Sequence, residues 1–193
     1  MADTGNILFS GVGGQGILLA SEVTAHALLA AGYDAKKSEV HGMAQRGGSV
    51  TAQLRYGKKV YSPLIEPGRA DILIAFEMME AARYLLYLHS ESKVIVNTQQ
   101  IKPPSVAMGQ IPYPAGVLDV ITEKGVQVVT VDAFDIARDA GEVKAANVVM
   151  VGAMSAFLPM GAAVYEEIIN TRIPERFREV NLKAFAAGRK ITA

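Results

Sequence analysis

The chain has 193 residues, 50% of them hydrophobic and 20% charged, which is enough apolar material for one ordinary domain with a real core and argues against disorder. Its 19 basic residues balance its 19 acidic ones, so no net field would gather nucleic acid or an anionic membrane. The absence of cysteine removes disulfides, thiolate metal sites, iron–sulfur ligation and thiol nucleophiles together.

From Met1 to Gly14 there is no basic, apolar leader pattern, and no stretch is long and apolar enough to span a bilayer, so the cytoplasm is the expected compartment. Asn6 to Ser10 is a short apolar run that ends in glycines and reads as a buried strand. Gln15 to Ala31 is rich in Ala and Leu, lacks Pro and stops at Gly32, the pattern of a helix with a glycine C-cap. Tyr33 to Val40 reads as a second strand. Strand, glycine turn, helix and strand together imply parallel pairing through a right-handed crossover.

His41 to Ser49 is a loop by composition. Ser49 to Arg55 alternates like a strand, Tyr56-Gly57-Lys58 reads as a turn, and Lys59 to Tyr61 as a return strand, so a hairpin is expected and the sheet should be mixed. Ala70 to Phe76 is a buried strand, Glu77 to Leu88 a helix, and Lys93 to Asn97 another strand. Ile101 to Gly116 carries Pro103, Pro104, Pro112 and Pro114 and reads as loop, with room for a short strand around Val106 to Met108. Val117 to Lys124 reads as a short helix, Val126 to Val131 as a strand, and Phe134 to Gly141, Asn147 to Leu158, Tyr165 to Asn170 and Glu175 to Ala187 as helices. The fold class expected is α/β: a three-layer α/β/α domain over residues 1–193 with a mostly parallel, mixed sheet, a Rossmann-like first βαβ unit and a hairpin.

Gly11, Gly13 and Gly16 fill the slots of a G-x-G-x-x-G turn between the first strand and the first helix. Such a turn lets the backbone approach a diphosphate at the helix N-terminus, so a dinucleotide site is one reading. The other is that the glycines only let the helix sit close to its strand. The ribose-binding acid would be Glu39, but Lys36 and Lys37 stand beside it. In the next loop, His41, Gln45 and Arg46 lie between Gly42 and the Gly47-Gly48 pair. Consecutive amides there could form an anion nest with Arg46 as a bidentate partner, or the loop is a solvated turn. His26 reads as a hydrogen-bonded core histidine, His89 as a helix-end residue at the C-terminal dipole, and Met150, Met154 and Met160 as packing. The histidines have no metal-ligand spacing, so no metal site is expected.

The segments Gly11 to Glu22 (GVGGQGILLASE) and Ser38 to Arg55 (SEVHGMAQRGGSVTAQLR) together resemble the gamma-type domain of 2-oxoacid:ferredoxin oxidoreductases, in order and in spacing. Ser62 to Leu88 is similar to the small subunit of the indolepyruvate type, and the resemblance runs over nearly the whole chain. The resemblance implies a non-catalytic subunit of an enzyme that decarboxylates a 2-oxoacid oxidatively to acyl-CoA. Indolepyruvate or another aryl pyruvate is the implied substrate, with 2-oxoglutarate, pyruvate and branched-chain acids as alternatives. Thiamine diphosphate, magnesium and iron–sulfur clusters would sit in a large partner subunit, with electrons leaving to ferredoxin. The sequence has no GDG segment for the diphosphate and no cysteine for a cluster.

On this resemblance the chain holds no cofactor or catalytic residue of its own, but completes the site and contacts coenzyme A as co-substrate. The candidate contacts are Gly11, Gly13, Gly14, Gln15, Gly16, His41, Gly42, Gln45, Arg46, Gly47 and Gly48. The apolar Val148 to Leu158 region and the proline-rich stretch are the candidate faces toward the partner, and the low net charge is also compatible with a homodimer of the isolated chain. A stand-alone dinucleotide-binding protein and a regulatory module without catalysis remain the other readings.

Overall fold

The computed structural model describes residues 4–41 and 47–192, His41 by its backbone alone. Six strands form one sheet in the order β2-β3-β1-β4-β5-β6, with β1 at Thr4–Val12, β2 at Asp34–His41, β3 at Ser49–Gly57, β4 at Ala70–Ala75, β5 at Leu88–Asn97 and β6 at Gln127–Val131. The pairings β1–β4, β4–β5 and β5–β6 are parallel, whereas β3 is antiparallel to both β1 and β2. The sheet is therefore mixed and mostly parallel, as expected.

Strand β1 is apolar on both faces because both faces are covered. Ile7 and Phe9 join one core with Ile72, Ile74 and Ile95, while Leu8 joins the other with Leu73, Val94 and Val96. Over the first face lie α1 (Ile17–Ala30), α5 (Ala133–Ala140), α6 (Ala146–Ser155), α7 (Ala162–Arg172) and α8 (Glu175–Arg189). Over the second lie α2 (Met78–Arg83) and α4 (Val117–Thr122). This is the three-layer arrangement, with more helix on one side. Every residue of α6 is buried. Its crossing with α8 is close because Gly152 faces the Phe185 carbonyl and Gly188 faces the Val149 carbonyl, leaving no room for a Cβ on either.

The helix expected from Glu77 to Leu88 stops at Arg83 as α2, and Leu88 already begins β5; four further local expectations change. First, β1 and β2 do not pair; β3 lies between them, so the β1-α1-β2 unit is Rossmann-like in order but opened by an inserted strand. Second, the hairpin joins β2 to β3 with Asp34 opposite Gly57. Residues 59–61 form no strand; the Val60 amide donates instead to the Asp34 carboxylate at 2.9 Å. That bond, ahead of Lys36, holds the Asp34 pKa below its ordinary value. Third, residues 106–108 are not a strand: Pro104 occupies the first position of a one-turn helix, α3 (Pro104–Ala107), where a missing N–H costs nothing. Fourth, His89 lies in β5 rather than at a helix end, with Nε2 3.4 Å from Asp71 Oδ1.

Candidate functional site

The antiparallel register of β1 with β3 places Gly11 opposite Val50 and Val12 opposite Ser49. The Gly13 amide then donates to the Gly48 carbonyl at 2.8 Å. The glycine turn and the Gly47-Gly48 end of the second motif thus meet at the carboxyl edge of β1, where ligands of open α/β sheets bind. Gly47 has φ +80°, a conformation that favours glycine. Gly42, Gln45, Arg46 and the His41 side chain lie outside the described residues.

Within the turn, a Cβ on Gly11 would stand 2.9 Å from Gln15, Ile17 and Phe76 atoms, and one on Gly16 would stand 2.5 Å from Asn147 Nδ2. Gly16 is the N-cap of α1 at φ +78° and offers no side-chain cap. Its carbonyl accepts from Asn147 Nδ2 at 3.3 Å. The glycines therefore serve close packing as well as exposing backbone at a helix start. The Gln15 side chain is spent inside the fold. Its Oε1 accepts from the Val12 amide at 2.8 Å, and its Nε2 donates to the Phe76 carbonyl at 2.7 Å and to Gln99 Oε1 at 2.8 Å. It ties the ends of β1, β4 and β5 together, so what it offers a ligand is its place in the wall.

The dinucleotide reading fits poorly. A ribose acid should follow the strand next to β1, but Glu39 lies on β2, two strand spacings away or roughly 10 Å, and is bridged to Lys37 at 2.5 Å.

Two clefts flank the turn. The first, about 470 Å³, is lined by Gly14, Gln15, Gly16, Phe76, Asn97 and Asn147 among others. The second, of similar volume, lies on the α2 side, between Gly47, Ser49, Glu80 and Arg83 and a wall that includes Lys102 and Pro104. Its floor holds two carboxylates that the sequence reading passed over. Glu77 is the N-cap of α2 and accepts from the Glu80 amide at 3.1 Å. Its Oε1 also accepts from the Ile101 amide at 3.1 Å and from the Tyr113 hydroxyl at 2.6 Å. Burial, then the Glu77 acceptor, push the Tyr113 phenol well above its ordinary pKa. The missed signal was two acids three residues apart at the start of an apolar helix, a capping pattern. Asn147, heading an otherwise apolar helix, was missed in the same way.

Other readings need correction. Of the Val148 to Leu158 region, Val148 to Ser155 cannot face a partner, because α6 is buried throughout; past its end Leu158 is buried too, and Ala156 and Phe157 are partly exposed. His26 is half-buried rather than core, 3.7 Å from Glu22 and 3.3 Å from Arg172. Met150, Met154 and Met160 do pack in the core. No helix among the described residues is long and apolar enough to cross a membrane. No three His, Asp or Glu converge among the described residues as metal ligands would. With no cysteine in the chain, its residues do not fit an iron–sulfur cluster.

Residues 6–191 match the family model for pyruvate ferredoxin/flavodoxin oxidoreductase. The chain is 43% identical over 190 residues to the indolepyruvate oxidoreductase subunit IorB of Archaeoglobus fulgidus, covering 95% of this chain and 92% of that one. It is 40% identical over 190 residues to the subunit of the same name from Thermococcus kodakarensis, covering 96% and 94%. Its structure is similar to the keto/oxoacid ferredoxin oxidoreductase gamma subunit from Geobacter sulfurreducens, with TM-score 0.73, 26% identity and coverage of 97% and 98%. The fold also recurs in the 2-oxoglutarate:ferredoxin oxidoreductase of Magnetococcus marinus, solved with 2-oxoglutarate, coenzyme A and succinyl-CoA bound. There the TM-score is 0.78 at 18% identity over 100% of this chain and 31% of the other. The chain belongs to the pyruvate ferredoxin/flavodoxin oxidoreductase family.

Proposed function

We propose that the chain, as one domain, is the non-catalytic small subunit of a cytoplasmic 2-oxoacid:ferredoxin oxidoreductase acting on indolepyruvate or a related aryl pyruvate. The observation that carries this reading is the 40–43% identity, over almost the full length of both partners, to subunits named for indolepyruvate. A 2-oxoglutarate synthase subunit is only 29% identical over a comparable length, which favours the aryl substrate.

Thiamine diphosphate, magnesium and iron–sulfur clusters in a large partner subunit supply the decarboxylation and carry electrons to ferredoxin. The residues of this chain bind and exclude water. At the carboxyl edge of β1, the backbone of Gly11, Gly13, Gly14 and Gly16 and the Gly47-Gly48 end lie beside the two clefts. This supports contact with coenzyme A there, with His41, Gly42, Gln45 and Arg46 contributing from the intervening loop and Gln15 as part of the wall. The proline-rich wall, where Met108 and Ile111 are more than half exposed, is the face offered to the large subunit.

The test is a substrate panel on the complex co-produced with its large subunit. Indolepyruvate and phenylpyruvate should give kcat/KM at least about tenfold above 2-oxoglutarate and pyruvate. A preference for 2-oxoglutarate overturns the substrate assignment. Titration of the chain with NAD(H) or FAD should release no heat; micromolar binding would restore the dinucleotide reading.

A further inference from the structure

The second cleft is braced by its two carboxylates. Glu77 is 1% exposed and Glu80 4%. Taking a carboxylate out of water is costly unless donors surround it, and an apolar pair of the same shape would often be at least as stable. Such a pair is useful for fixing geometry, and its donors come from both walls of the cleft. On one wall, the Ser49 hydroxyl donates to Glu80 Oε2 at 2.5 Å, and Ser49 directly follows Gly47-Gly48. On the other, the Ile101 amide and the Tyr113 hydroxyl donate to Glu77. The two acids are joined through the Glu80 amide. Arg83 lines the same cleft: its Nε donates to Glu80 Oε1 at 2.9 Å while the side chain stays about half exposed.

We infer that Glu77 and Glu80 form a strut that sets the Gly47–Ser49 end of the motif loop at a fixed distance from the 101–113 wall. In it Glu80, acting through Ser49, is a positioning residue for the co-substrate contact. The inference rests on the proposed placement of coenzyme A at this loop. Glu80 touches no substrate; it determines where the Gly48 carbonyl, and with it the Gly13 amide, stands. The strut also joins the loop to the wall proposed to meet the large subunit, so docking and co-substrate binding share one set of hydrogen bonds.

Ser49→Ala removes the link while leaving Glu80 paired to Arg83, and Ser49→Thr restores a hydroxyl. In the complex, Ser49→Ala should raise the KM for coenzyme A roughly fivefold or more, with kcat and the KM for the 2-oxoacid within about twofold and Ser49→Thr near wild type. Amide exchange of the full chain at Gly13, which donates to the Gly48 carbonyl, and at Val50 should speed up about tenfold in Ser49→Ala and in Glu80→Gln, while β4 and β5 keep their protection. Unchanged exchange at those amides overturns the strut. Unchanged KM for coenzyme A, or a fall in kcat with a matching rise in every KM, overturns the positioning role. If the wild-type complex proves indifferent to this chain, the functional proposal fails, and the exchange measurement still decides the strut.

Discussion

Gly16 and Gly14 sit two residues apart in one turn, both with positive φ, and differ in what surrounds them. A Cβ on Gly16 meets Asn147, whereas one on Gly14 meets nothing within 4 Å. Gly14→Ala should therefore carry only the backbone strain, about 1 kcal/mol, and Gly16→Ala that strain plus displacement of Asn147, about 2–3 kcal/mol, both read from urea unfolding. Equal losses would mean that Asn147 yields freely. The glycine pattern was readable in the sequence because few other residues tolerate such φ values at a helix start. The consumption of Gln15 by internal bonds was not, because its partners Phe76 and Gln99 lie 61 and 84 residues away. Glu77 and Glu80 were equally hidden: an acid at the head of a helix reads as solvated until distant donors close over it.

Among the elements, the helix expected over 147–158 is α6, which ends at Ser155, and its residues 148–155 are interior rather than surface. A helix apolar on every side belongs inside, and α6 is covered by α8 through facing glycines. Gly188→Ala should force the two helices apart, lower stability by about 2–4 kcal/mol and leave secondary structure largely intact by far-UV circular dichroism. A loss below about 1 kcal/mol would show that the crossing is loose. The insertion of β3 was beyond local pattern, since nothing in residues 34–57 says that β1 will accept β3 on its free side. The strand expected at 59–61 failed because Gly57 ends the ladder and Asp34 captures the next available amide.

At the scale of the molecule, the layers and the mixed sheet were legible because apolar runs bounded by glycines have few ways to be buried. The same runs say little about what approaches the sheet edge. The folded molecule also carries an alkaline liability. Burial, then Asp71, raise the Tyr56 phenol to about 12, above its value of about 10 in an unfolded chain. Below about pH 10 the phenol is neutral in both states and costs nothing. As pH rises toward 12 the unfolded chain releases its proton first, and stability falls. Tyr56→Phe should flatten the decline in urea midpoint between about pH 10 and 12; an unchanged slope would assign the decline to other groups.

On the proposed function, this chain completes a site whose chemistry lies in another. The most direct measurement is aryl-pyruvate-dependent ferredoxin reduction by the purified large subunit as this chain is titrated in. Activity is predicted to be near zero without it, to rise to saturation at one chain per large subunit, and to be absent from this chain alone. Full turnover by the large subunit without it, or turnover by this chain alone, would contradict the account.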